Sequence, residues 1–265
     1  MFGKLLKYDF RSMWKQFAFI WPAALALALV NHFTLNSFVT SASNTRQTVS
    51  GVAMLVYVAI LMAMFIVALV FTIQRFFKGL LGDEGYLMHT LPVRPWQLIG
   101  SKLLCAVVTT FLSVVVAVLS IFIIFPWEQE DFQQLFEGFR YLFSHWDTQA
   151  TNVVIAILET ILFMLVSFGT GFLELYLAMS VGHLFNKNRV AFSVIAFIAV
   201  NAVMTTLLGA ISPGLERILN GIVGKWDTMA SFHSTIWIAI AGELILSAVY
   251  FAGTEFILRK KLNLE

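Results

Sequence analysis

The sequence predicts an all-α integral membrane protein with six transmembrane helices behind an N-terminal amphipathic interface helix. Three observations predict it. Hydrophobic residues make up 59% of the chain and charged residues 12%, about half the ~25% charge of soluble domains. Six apolar segments lie near residues 17–35, 51–73, 103–125, 155–179, 190–208 and 235–257. Each is close to the ~20 residues a helix needs to cross a ~30 Å hydrocarbon core. Finally, thirteen of the seventeen Lys and Arg residues fall on one side when successive connections alternate between sides. Cytoplasmic flanks carry such an excess of cations, so both termini are expected in the cytoplasm.

Residues 1–16 form the first element. Phe2, Leu5, Leu6, Phe10, Met13 and Trp14 share one helical face, and Lys4, Lys7, Arg11 and Lys15 the other. That pattern suits a helix lying in the headgroup layer with its cations near anionic lipid. It serves either as a juxtamembrane anchor or as a platform for a partner. Trp21-Pro22 predicts a bend between this helix and the first span. The remaining residues, 17–265, form the six-span domain. Residues 1–16 are not expected to be a signal peptide, because they are amphipathic rather than an apolar core with a cleavage site.

Three connections are expected outside: 36–50, 126–151 and 209–234. Within 126–151, Phe132, Leu135, Phe136, Phe139, Phe143 and Trp146 form a helical stripe against Glu128, Glu130, Asp131 and Glu137. A second stripe follows Ser212-Pro213, through Leu215, Ile218, Leu219, Ile222, Val223 and Trp226. Serine before proline predicts a new helix start there, since Ser caps and Pro tolerates the first helical position. Cytoplasmic parts hold thirteen basic and four acidic residues, the outer connections four and seven. Topology uses these cations, leaving no basic surface for nucleic acid. The lone Cys105 cannot form an intrachain disulfide.

The longest inner connection, residues 74–101, contains the most specific string in the chain, GDEGYLMHTLPVRPWQLIGSKLL at 82–104. Gly79, Gly82 and Gly85 permit turns, and Pro92 and Pro95 restrict the residues before them. Tyr86, Leu87, Met88 and Leu91 offer apolar side chains beside Asp83 and Glu84. Such an element either docks in a partner's groove or lies on the membrane as an ordinary connector.

This string resembles the loop between the second and third spans in permeases of type-2 ABC exporters. Asp83, Glu84, Gly85, Tyr86 and Leu87 match the acidic-Gly-Tyr-Leu stretch of that family. Thr90, Leu91, Pro92 and Val93 match its Thr-Leu-Pro-Val, and Gln97, Ser101, Lys102 and Leu103 fit the start of the third helix. The opening LLKYDFRSMWK and closing ILRKKLNLE also look like that family's ends. The resemblance implies a permease pairing with a second copy or a homologous permease in a bacterial cytoplasmic membrane. Cytoplasmic ABC ATPase subunits would dock on residues 83–93 and drive export of a hydrophobic or amphipathic drug, peptide or lipid. ATP and Mg would belong to that partner, with no cofactor in this chain.

Motifs for local chemistry are missing. The chain holds no G-x-x-x-x-G-K-[ST] phosphate loop, no H-E-x-x-H and no G-x-S-x-G elbow. Its histidines, His32, His89, His145, His183 and His233, are scattered. The chain is therefore not expected to be an enzyme by itself.

Four acids lie inside the spans: Glu159, Glu174, Glu243 and Glu255. A charge at the centre of a bilayer costs roughly 3 kcal/mol, so each needs a reason to be there. Glu255 stands four residues before Arg259 and is expected to pair with it. Glu159 and Glu174 lie near the ends of a long helix, within reach of headgroups. Glu243, eight residues into the last span, is the best candidate for a pore or inter-helix contact. Gly169, Gly171, Gly182 and the Ala24/Ala28 pair are read as helix-packing positions rather than substrate sites. Two other readings stay open: a non-transporting membrane sensor or assembly protein, and an ion-coupled carrier using Glu243.

Overall fold

The computed structural model describes residues 2–39, 44–82, 94–124, 129–144, 148–185, 188–223 and 228–260. Among these residues there is no β-strand. The elements are α1 (Phe2–Val39), α2 (Asn44–Phe76), a π-helical turn (Phe77–Leu81), α3 (Pro95–Ile124), α4 (Gln129–Ser144), α5 (Thr148–Gly182), α6 (Arg189–Val223) and α7 (Thr228–Lys260). Five stretches are long and apolar enough to cross a bilayer: Gly51–Leu81, Pro95–Ile124, Thr151–Gly182, Arg189–Ile211 and Met229–Lys260. A sixth forms if Phe2–Lys15 and Phe17–Phe33, bent by 42°, are counted as one. The chain is a multi-pass α-helical membrane protein. With no water in the hydrocarbon layer, a helix is the element that satisfies its backbone internally.

Two expectations about proline are corrected. The bend in α1 falls between Lys15 and Phe17, and Pro22 sits inside the second segment rather than at the break. The helix also runs unbroken through Pro213 to Val223, so Ser212-Pro213 starts no new helix. Proline removes one backbone donor, here the one that would reach Gly209, without blocking the flanking turns. Proline is tolerated this way in membrane helices.

The chain divides into two compact units. One comprises Gly3–Phe71 with Val108–Trp146. Its core joins buried Ala28, Tyr57 and Ile124, with Leu27, Leu61 and Ile123 packed around them. Ala24 and Ala28 are fully buried, as their small side chains allow close approach. Polar groups bridge its helices. The Tyr57 and Ser120 hydroxyls are 2.8 Å apart, the Trp21 indole donates to Ser113 Oγ at 3.1 Å, and Asn31 Nδ2 donates to the Ala53 carbonyl at 3.3 Å. On α1, Met13 is buried and Lys4, Lys7, Arg11 and Lys15 are exposed, but Trp14 of the expected apolar face is exposed and Asp9 is buried. Within α4, Phe132 and Phe136 are both exposed.

The other unit comprises Met1–Phe2, Thr72–Val107 and Asp147–Glu265. Here α5 packs extensively along α7 and along α6, while α6 and α7 touch only slightly. Gly182 explains the tight α5–α6 corner: a Cβ there would collide with Oγ, N and Cα of Ser193. Asn188 helps start α6 by adopting φ 56°, and its carbonyl accepts from Phe192 N at 3.1 Å. Asparagine tolerates this left-handed conformation better than most residues.

Candidate functional site

Three helices of the second unit each present one face to a cavity of about 250 Å³. From α5 come Ser167, Thr170, Gly171 and Glu174. From α6 come Asn201, Met204, Thr205 and Leu208. Glu243, Leu246 and Tyr250 line it from α7. Residues at i, i+3, i+4 and i+7 form one face of a helix, so each set is a single stripe. The cavity lies where α6 and α7 both pack along α5 while touching each other only slightly.

Hydrogen bonds fix several of these groups. Asn201 Nδ2 donates to Glu174 Oε1 at 2.5 Å and to the Phe197 carbonyl at 3.2 Å. Thr170 Oγ1 donates to the Val166 carbonyl at 3.1 Å, lies 3.3 Å from the Glu243 carbonyl, and sits 2.8 Å from Ser247 Oγ. Ser167 Oγ is buried without a partner. Among the described residues, no Lys, Arg or His lines this cavity. Two carboxylates therefore face one space with no protein cation beside them.

Glu159 is different. It is 7% exposed, so it does not reach out to headgroups as its position near a helix end suggests. Its Oε2 accepts from His233 Nδ1 at 2.6 Å and its Oε1 from Trp237 Nε1 at 2.7 Å. His233 and Trp237 are one turn apart on α7, so this carboxylate clamps α5 to α7. Fifteen residues of helix, about 22 Å at 1.5 Å per residue, separate Glu159 from Glu174 on α5. Glu174 and Glu243 are brought together; Glu159 is not. Glu255 is also corrected: among the described residues, no ion pair joins it to Arg259.

The expected docking residues Asp83, Glu84, Gly85, Tyr86, Leu87, Thr90, Leu91, Pro92 and Val93 lie outside the described residues. The structure does describe the chain leading into them. Phe76 stacks face to face on Tyr176 of α5, with centroids 4.0 Å apart and planes inclined by 8°. Gly79, Leu80 and Leu81 of the π turn are buried, and Gly82 N donates to the Phe77 carbonyl at 2.7 Å. A Cβ on Gly79 would press on the Lys102 ammonium at 2.8 Å. The Phe77 and His183 rings are 5.9 Å apart, and Arg189 Nη1 lies 3.2 Å from His183 Nε2. Burial first, then the Arg189 guanidinium, hold the His183 imidazole below its ordinary pKa. With Nε2 unprotonated, the ring accepts a hydrogen bond there from Arg189 Nη1.

Gly171 lines the cavity, and nothing approaches within 4 Å of where its Cβ would be. It is not the packing position its residue type suggested, whereas Gly182 is. Among the described residues, no three His, Cys, Asp or Glu side chains converge as a metal-ligand set.

The fold and this cavity define the class: a multi-pass α-helical membrane protein with a polar cavity among three of its helices. No known protein family, characterised protein or solved structure matches the chain.

Proposed function

We propose that this protein is the permease subunit of an ATP-driven type-2 ABC exporter, working with a second permease and separate ATPase subunits. The observation that carries the reading is the string at 82–104, with Asp83-Glu84-Gly85-Tyr86-Leu87 followed by Thr90-Leu91-Pro92-Val93. The multi-pass helical fold supports it, as does a sequence without a phosphate-binding loop. The substrate is hydrophobic or amphipathic, the membrane is the cell membrane, and both termini are cytoplasmic, in keeping with the cation bias.

In this reading residues 83–93 dock on the ATPase, with Tyr86 and Leu87 as anchors and Asp83 and Glu84 as a polar rim. The chain from Phe76 to Gly82 carries the motion into Tyr176 of α5, two residues from Glu174. Interfaces concentrate energy in a few buried apolar or aromatic anchors; losing one costs about 2 kcal/mol, roughly thirtyfold in affinity. Replacing Tyr86 and Leu87 together by alanine should leave the permease folded yet release or uncouple the ATPase. Normal co-purification and wild-type transport by that double variant would reduce the loop to a connector.

Glu174 and Glu243 on one cavity favour a second reading, an ion-coupled carrier. Energy source separates the two. In vesicles containing the chain without any ATPase, an imposed ion gradient drives uptake by a carrier and none by an exporter permease.

A further inference from the structure

The Glu174–Glu243 cavity has a chemical character that narrows its ligand. Three features converge on it. The first is charge: two carboxylates face the space, and among the described residues no cationic side chain lines it. Among the described residues, the Glu243 carboxylate has neither a hydrogen bond nor an ion-pair partner, and Asn201 occupies one oxygen of Glu174. Uncompensated carboxylates inside a membrane domain are costly, so a positive partner is strongly favoured.

The second feature is a fixed frame. The Thr170 hydroxyl lies 2.8 Å from Ser247 Oγ, one helical turn from Glu174 and from Glu243 on their respective helices, so the two acids are held at one place between α5 and α7.

The third is size and lining. A volume of about 250 Å³ is many times the roughly 10–15 Å³ that one water needs, well beyond a single bare ion. Met204, Leu208 and Leu246 supply apolar wall beside the acids. The cavity thus offers negative charge and apolar contact together. A zwitterionic or anionic headgroup would bring its phosphate against two carboxylates and be repelled.

We propose that this cavity binds the ammonium headgroup of a cationic amphiphile, with the carboxylates of Glu174 and Glu243 around the nitrogen and the apolar body along Met204, Leu208 and Leu246. As the substrate site it rests on the exporter reading. Binding itself needs no ATPase, so either can fail alone.

The test uses the full chain in uncharged maltoside micelles, titrated with a dansyl-tagged alkylammonium and with the same dansyl tail ending in an alcohol. Saturable binding of the ammonium probe is expected, with the alcohol at least about tenfold weaker. Glu174→Gln and Glu243→Gln should each weaken ammonium binding at least about tenfold and leave the alcohol unaffected, while Glu255→Gln, outside the cavity, should match the wild type. Equal affinity for ammonium and alcohol in the wild-type chain overturns the proposal, even if a glutamine variant fails to fold. Unchanged ammonium binding in folded variants of both Glu174 and Glu243 overturns it as well.

Discussion

His233 Nδ1 donates to Glu159 Oε2 at 2.6 Å, and the other ring nitrogen, Nε2, is buried without a partner. The imidazole is held at one end only, between α5 and α7. Trp237 completes the clamp by donating to the second carboxylate oxygen at 2.7 Å. Removing the carboxylate leaves two donors without an acceptor. Glu159→Ala should therefore destabilise the fold by about 2–3 kcal/mol, and Glu159→Gln, which keeps one acceptor oxygen, by less. Reversible unfolding in mixed micelles measures this, and a loss below about 0.5 kcal/mol for the alanine variant would show that the clamp holds little.

The stacked rings of Phe76 and Tyr176 link the end of α2 to α5. Aromatic pairs contribute about 0.5–1.5 kcal/mol beyond area burial. A double-mutant cycle with Phe76→Leu and Tyr176→Leu should return a coupling of that size. Strict additivity would mean that the two rings merely adjoin.

Gly182 and Gly171 differ in what surrounds them. Alanine at Gly182 collides with the Ser193 backbone, and overpacking of that kind costs about 1–3 kcal/mol. Alanine at Gly171 meets open space and should leave stability within about 0.5 kcal/mol of wild type. Melting curves of the two variants should separate clearly; a tolerated Gly182→Ala would show that α6 can shift away.

His183 gives a pH dependence. Its folded pKa is lowered, so folding favours the neutral ring and the unfolded chain binds the proton more readily. The penalty is absent at alkaline pH, where both states are neutral. It grows as pH falls below the ordinary imidazole value of about 6.5. His183→Gln keeps an acceptor oxygen for Arg189 but cannot titrate. Between pH 8 and 5 the wild type should lose more thermal stability than this variant, and identical slopes would mean that the ring's protonation does not matter to the fold.

Sidedness rests on the cation bias alone. A single cysteine at Gln133, which is exposed on α4, in a chain with Cys105 replaced, should react with an impermeant reagent from outside. Reaction only from the cytoplasmic side would reverse the proposed topology.

Sequence alone determined that these helices cross a membrane. Runs such as 103–125 and 155–179 bury no polar backbone only as helices, and no tertiary contact is needed to know it. It also marked the amphipathic helix at Gln129–Ser144, because helical periodicity is a local property. It misjudged Pro22 and Pro213, since a proline's effect depends on whether neighbouring turns are held in place.

The site divides in the same way. Four intramembrane acids were visible as anomalies in apolar runs. Their fates were not, because those depend on which helix faces which. Only packing of α5 against α7 gave Glu159 its donors in His233 and Trp237, and only the three-helix arrangement set Glu174 and Glu243 on one cavity. Asn201, Ser167, Thr170, Ser247 and Tyr250 were missed. A polar stripe at i, i+3, i+7 through Ser167, Thr170 and Glu174 was the available signal. Reading it required knowing that this face of α5 meets other helices rather than lipid, and residue types along one helix do not encode that choice.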